Sequence, residues 1–408
     1  MNRYFLYLGI ILLIFLNSCG KKGESVSDKT IKFWHFWSEP NQKGIIKSLV
    51  EEFEKENNCK VELSELSWND GKTKLFAAFN AGNAPDVIEL GSDWVAQFSS
   101  AGVLSEWTNQ DIHFDKFVDF SIEPTIWNNK YYCVPWVVDT RVLFYNKSLI
   151  NENGLKKIES GNISYDDVVE LARLANNNNT YGWGANGSDR HRLYKKIVSM
   201  FWSFGGKILD SAGIPQLNSS ANAAALDKYA ELSRYGLIET QRQIDASFVE
   251  GRVALWVSGG WLLEKIKNEN PKLNFAVTMV PSSTNSRGIS FAGGEYLAVN
   301  SKSKNAELAK KFVKYMTDGK NSLRFCKEVI EAGFPADKSF FNDEFYQSQP
   351  NRLVFAKQLE SAKMTPVHPK WLDIEAIIED AAVTVLFGKL SPQEALNQAQ
   401  SKIKELIK

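Results

Sequence analysis

The chain has 408 residues, with 48 basic residues balanced by 48 acidic ones, and is 44% hydrophobic and 24% charged. That balance gives no electrostatic basis for a nucleic-acid partner, and the composition excludes the disordered and fibrous classes. Setting aside 28 residues as leader and tether leaves about 380, more than a single core usually holds, so two domains are expected.

Thirteen apolar residues, Tyr4 to Leu16, follow Arg3 and end at Leu16-Asn17-Ser18-Cys19-Gly20. As a helix this run spans about 20 Å against an about 30 Å hydrocarbon core, too short for a comfortable span and suited to a signal peptide at 1–18. The ending resembles a bacterial lipobox, with Asn17 as a polar departure, in which Cys19 is lipidated and becomes the first mature residue. An ordinary cleaved signal is the alternative, and either one places the protein outside the cytoplasm. Residues 19–28 are polar and small apart from Val26 and read as a flexible tether. Of the cysteines beyond Cys19, Cys59, Cys133 and Cys326 are odd in number and lack C-x-x-C spacing; three buried hydrophobes are favoured over one disulfide plus a thiol. His35, His113, His191 and His368 are dispersed without H-x-x-x-H spacing, so neither a metal nor a cofactor is expected.

Thr30 to Phe36 predicts a first strand, with Ile31, Phe33 and His35 on one face and Lys32, Trp34 and Phe36 on the other. Glu39-Pro40 then opens a helix that gathers Ile45, Ile46, Leu49, Val50 and Phe53 on one side. A strand over Val61–Leu66, a helix from Gly71 to Asn80 and a strand over Asp86–Leu90 follow. This rhythm predicts the α/β class with a parallel sheet. The tetrad Asn176 to Asn179 reads as a surface turn. Leu308, Ala309, Phe312, Val313 and Met316 mark an amphipathic helix, as do Ile374, Ile377, Ile378, Ala381, Ala382 and Val385. Gly388 is placed to end the second of these, and Ser391-Pro392-Gln393-Glu394 reads as a capping box opening the last helix.

Among the 12 tryptophans, Trp37 follows the first strand, Trp94 follows Gly91-Ser92-Asp93, Trp136 precedes Val137-Val138-Asp139, and Trp261 follows Ser258-Gly259-Gly260. Ligands of open α/β sheets bind beyond the carboxyl ends of strands. Aromatic faces there, interleaved with Asp, Glu, Arg and Ser, suit the apolar C–H faces and hydroxyl rims of a sugar. On position, Trp37, Trp136 and Trp261 are ligand-facing candidates, Trp34 and Trp256 belong to the core, and Trp183, Trp202 and Trp371 are even. His191, between Arg190 and Arg192, reads as a solvated charged turn.

Eight segments in order carry a resemblance: FWHFWSE, FNAGNAPDVIELGSDWVAQFSSAGVLSEWT, KYYCVPWVVDTRVLFYNKSLI, TYGWG, FVEGRVALWVSGGW, FAVTMVP, FAGGEYLAVNSKSKNAELAKKFVKYM and SPQEALNQAQSKI. Through them the chain resembles the family-1 extracellular solute-binding proteins of ABC importers, the type that includes maltose-binding and multiple-sugar-binding proteins. The resemblance implies a two-lobe periplasmic-binding-protein fold of type II with ligand in the cleft. One lobe would comprise 29–115 with 281–328, the other 116–280 with 329–408. It implies a monomer that closes on a sugar and delivers it to ABC permease subunits. By position it marks Asp139 as an acceptor for sugar hydroxyls with Trp136 and Arg141 beside it, Ser92 and Asp93 as polar contacts, and Trp261 as a stacking face. Gly293 and Gly294 supply backbone groups beside Glu295, Glu39 sits in the loop after the first strand, and Trp371 is a second stacking platform. Trp37 and Ser38 depart from the charged pair of maltose-type members, which leaves the sugar open.

A glycoside-acting enzyme would also show tryptophans and paired carboxylates, with Asp139 and Glu295 as the pair on paper. Nothing in the sequence isolates one of them as a raised-pKa acid, and no G-x-S-x-G elbow, Walker or dinucleotide fingerprint is present, so no enzyme is expected. A sugar-sensing lipoprotein of the same fold is the other alternative.

Overall fold

The computed structural model describes residues 29–408 apart from 69, 190, 285 and 286; the signal peptide, Cys19 and the tether therefore lie outside the described residues. β1 (Thr30–His35) buries Ile31, Phe33 and His35 on one face, as its alternation predicts. It pairs in parallel with β2 (Lys60–Glu65) and β3 (Val87–Gly91), and the helices Pro40–Asn57 and Gly71–Asn80 form the crossovers. The first of these helices buries Ile45, Ile46, Leu49, Val50 and Phe53, and Phe53 meets Phe312 edge-on at 5.1 Å.

The chain continues through a hairpin, β4 (Ile126–Trp127) and β5 (Lys130–Tyr131), to β6 (Val134–Thr140) and β7 (Val142–Asn146). There follow β8 (Tyr181–Asn186), β9 (Gly236–Glu239), β10 (Val253–Ser258), β11 (Phe275–Thr278), β12 (Ser290–Val299), β13 (Phe334–Pro335) and β14 (Ala362–Lys363). Two sheets result. One runs β13-β6-β12-β3-β1-β2 with β14 on β12, and the other runs β11-β7-β10-β8-β9. β6 and β13, though within stretches expected for the second lobe, belong to the first sheet because β6 pairs antiparallel with β12 and β13 with β6.

The chain passes from one sheet to the other at Arg141, between β6 and β7, and returns between β11 and β12. One core cluster joins Phe33, Val61 and Leu297 of the first half to Phe144, Phe248 and Trp256 of the second, and the second half has a further core. In the second, Trp183, Tyr194, Phe201 and Tyr229 are buried among the helices Tyr165–Ala175, Leu193–Ser203, Ser220–Ser233 and Trp371–Leu386. Helix Tyr165–Ala175 lies so close on β8 that a Cβ on Gly182 would fall 1.9 Å from the Ala172 carbonyl oxygen. The Asn176–Asn179 tetrad is an exposed bend, Gly388 adopts φ +67 past the helix Trp371–Leu386, and Ser391 caps the last helix with Glu394. Cys59, Cys133 and Cys326 are free and buried. Among the described residues no helix is long and apolar enough to cross a membrane.

Candidate functional site

The carboxyl ends of β1, β3, β8 and β10 converge on a cavity of about 850 Å³ lined by residues of both halves. Phe36, Trp37 and Trp68 form one wall, and His191, Lys195 and Trp261 the facing one. Asp139, Arg141 and the strand segment Gly293–Glu295 form the floor. The floor depends on a missing side chain. Gly293 pairs with Asp139 in register, and a Cβ there would lie 2.2 Å from the Asp139 carboxylate.

Asp139 and Arg141 form an ion pair at 2.5 Å, with side chains 16% and 8% exposed. The Arg141 guanidinium also lies 5.0 Å over the Trp261 ring and 5.1 Å over the Phe291 ring, a cation–π geometry on both. Behind Trp261 sits buried Asp245. It accepts hydrogen bonds from Trp256 Nε1 (2.7 Å), Ser258 Oγ (3.0 Å) and Trp261 Nε1 (3.0 Å). Burial raises its pKa, with Lys196 pulling the other way. Lys196 donates to Gln241 at 2.6 Å, and burial holds its pKa well below the usual range. The indole is thus clamped by a carboxylate at its edge and a guanidinium on its face.

The floor carries an unusual proton load. Glu89, fully buried in β3, accepts the Phe36 N–H at 2.8 Å, and burial pushes its pKa up to about 8. Neighbouring Glu295 is raised well above the usual range by burial, then by the charges of Asp139 and Glu89. Burial and these neighbouring charges thus favour the protonated form of Glu295, in which a carboxyl group can donate as well as accept. Lys195 lines the opposite wall, 5.3 Å from the Phe291 ring centre, its pKa lowered by burial.

Of the residues picked from the sequence, Trp37, Glu39, Ser92, Asp93, Asp139, Arg141, Trp261, Gly293, Gly294 and Glu295 all line this cavity. Glu39 is exposed at its mouth, with its N–H bonded to Gln42 at 3.0 Å. Trp136 and Trp371 do not reach it. Trp136 is fully buried and stacked 4.6 Å from Phe325; it lies three residues before Asp139, and a strand alternates its faces. Trp371 continues the buried stripe of Ile374 and Ile378 and meets Tyr194 edge-on at 6.2 Å. Nor is His191 a solvated turn: its Nδ1 lies 2.7 Å from buried Glu375. The sequence reading passed over Trp68, Lys195 and Asp245. Trp68, 37% exposed and stacked 4.2 Å from Phe36, carried a signal in standing beside the Asn69-Asp70-Gly71 turn. Lys195 and Asp245 carried none, being charged residues among many on helices.

Residues 37–321 match the family model described as bacterial extracellular solute-binding protein. The galactooligosaccharide-binding protein of Bacillus subtilis is 28% identical, with 96% of this chain and 94% of that one covered. The maltooligosaccharide ABC transporter solute-binding lipoprotein of Streptococcus pneumoniae is 26% identical, covering 98% and 96%. A solute-binding protein from Thermotoga lettingae, solved with α-D-tagatose, superposes with a TM-score of 0.81 at 22% identity, over 93% of this chain and all of that one, a likeness of fold. With the family model spanning well over half its length, the chain belongs to the bacterial extracellular solute-binding proteins.

Proposed function

We propose that this chain captures a sugar, a monosaccharide or short oligosaccharide, and delivers it to the transmembrane subunits of an ABC importer from a lipid anchor at Cys19. The observation that carries this reading is the Trp261 indole, clamped by Asp245 and Arg141 at the wall of a cavity whose floor offers the carboxyl groups of Asp139 and Glu295. A flat apolar face beside mixed donors and acceptors is the surface pattern of a pyranose. The names of the B. subtilis and S. pneumoniae relatives support the ligand class, and the second supports the transporter and the anchor. The lobes are taken as 29–115 with 281–328 and 116–280 with 329–408, with β6 and β13 completing the first sheet. Closure about the Arg141 crossing then brings both walls onto the sugar.

Calorimetry against a panel of neutral mono- and oligosaccharides is expected to find at least one ligand at micromolar affinity or better, with no new reducing ends after prolonged incubation. Absence of heat across the panel counts against capture, and released reducing ends count against a pure binding role. Anchoring is read separately: labelling with a fatty acid in cells should be lost in Cys19→Ser.

A further inference from the structure

At the cavity wall, where Asp93 and His191 line it, three ligating side chains from distant parts of the sequence meet between the halves. Asp93 comes from the turn after β3 in the first half. His191 comes from the turn before helix Leu193–Ser203 and Glu375 from helix Trp371–Leu386, both in the second. One ligand atom from each lies within 4.8 Å of the others. His191 Nδ1 stands 2.7 Å from Glu375 Oε1, and its Nε2 stands 3.7 Å from Asp93 Oδ2. We propose that these three residues form a site for a divalent transition cation of the zinc class, which ties the two halves of the protein together.

Charge is the first reason. Two carboxylates face a single imidazole, and among the described residues no lysine or arginine lies within ion-pair distance of either; Lys72 and Lys195 stand farther off. A divalent ion answers that imbalance, and mixed imidazole and carboxylate donors suit zinc. The second reason is an unsatisfied atom. Glu375 is 4% exposed, and its Oε2 has no hydrogen-bond partner among the described residues. Buried carboxylate oxygens are nearly always satisfied, and a metal bond would satisfy this one. Third, the outer partners that orient metal ligands are already in place. The Tyr194 hydroxyl donates to Asp93 at 2.9 Å, and the His191 backbone N–H donates to Glu379 at 3.1 Å, fixing the main chain that carries the imidazole at φ 66. Zinc takes one ring nitrogen only, and bonds of about 2.1 Å place tetrahedral ligand atoms about 3.4 Å apart, so on binding the 2.7 Å Nδ1–Oε1 contact opens and the three side chains turn until one atom of each converges.

A cation held from both sides favours the closed arrangement, so cation and sugar should each strengthen binding of the other. That coupling rests on the proposed function, whereas cation binding itself does not.

The test is to strip the full chain with a chelator and titrate it with zinc chloride in a calorimeter. One zinc per chain is expected, and cobalt(II) in its place should give visible absorption from a nitrogen-and-oxygen ligand set. His191→Gln, Glu375→Gln and Asp93→Asn should each weaken zinc binding at least tenfold while retaining the parent circular-dichroism spectrum. No zinc binding up to millimolar concentration overturns the proposal and leaves the trio a hydrogen-bonded imidazole bridge. Zinc binding that survives unchanged in Asp93→Asn overturns the tie between halves.

Discussion

Trp261 has little freedom left to lose when a ligand arrives, because Asp245 fixes its Nε1 and Arg141 lies on its face. Trp261→Ala should therefore remove a ready-made stacking face and weaken sugar binding by about 1 to 3 kcal/mol in calorimetry. An unchanged dissociation constant would place the sugar elsewhere in the cavity. Glu89 gives a prediction in pH. Its folded-state pKa of about 8 lies above the 4.5 of a solvent-exposed glutamate, so the folded state binds more protons between the two. Stability from this group is full below pH 4.5 and is lost as pH rises through 8, at up to roughly 1 kcal/mol per pH unit. Urea midpoints should fall from pH 5 to pH 8, and Glu89→Gln should flatten that fall. At this scale the site was partly legible. Asp139 and Trp261 stand out because charged or aromatic residues at the end of a strand or after a glycine pair have few core roles. Trp136 misled because it stands just as near Asp139 in sequence but on the packed face of β6. His191 misled because its partner Glu375 is 184 residues away.

The opening elements were legible almost to the residue, since helix and strand periods alternate cleanly and each start carries its own chemistry. Pro40 begins its helix and Gly71–Asn80 forms where expected. At Ser391 the capping box is complete: its Oγ accepts the Glu394 backbone N–H at 3.4 Å, and its own backbone N–H donates to the Glu394 carboxylate at 3.0 Å. Ser391→Ala should cost about 1 kcal/mol of stability by denaturant melting, since the helix loses an N-terminal acceptor. Packing between elements was not legible, because nothing in the pattern says how close a helix will approach a sheet. Gly182 is the sharpest instance. Ala there drives a methyl group into the Ala172 carbonyl, so Gly182→Ala should destabilise the second half by about 1 to 3 kcal/mol or more, read as a lower urea midpoint.

For the molecule as a whole, the α/β class and the two-part architecture follow from strand spacing and chain length, whereas the membership of each sheet does not. β6 pairs with β12 across more than 150 intervening residues, from Thr140 to Ala292, and no local signal reports such a pairing. The two sheets share a cavity that residues of both line, so a bound sugar should draw them together. Small-angle scattering with and without a saturating ligand should show a smaller radius of gyration in the bound state; an unchanged curve would mean that the halves do not move. Arg141 is the only residue between β6 and β7, and it also pairs with Asp139 and covers Trp261. On the proposed reading a point of bending and part of the receptor surface meet in one amino acid, so replacing Arg141 should alter cargo preference and ease of opening together.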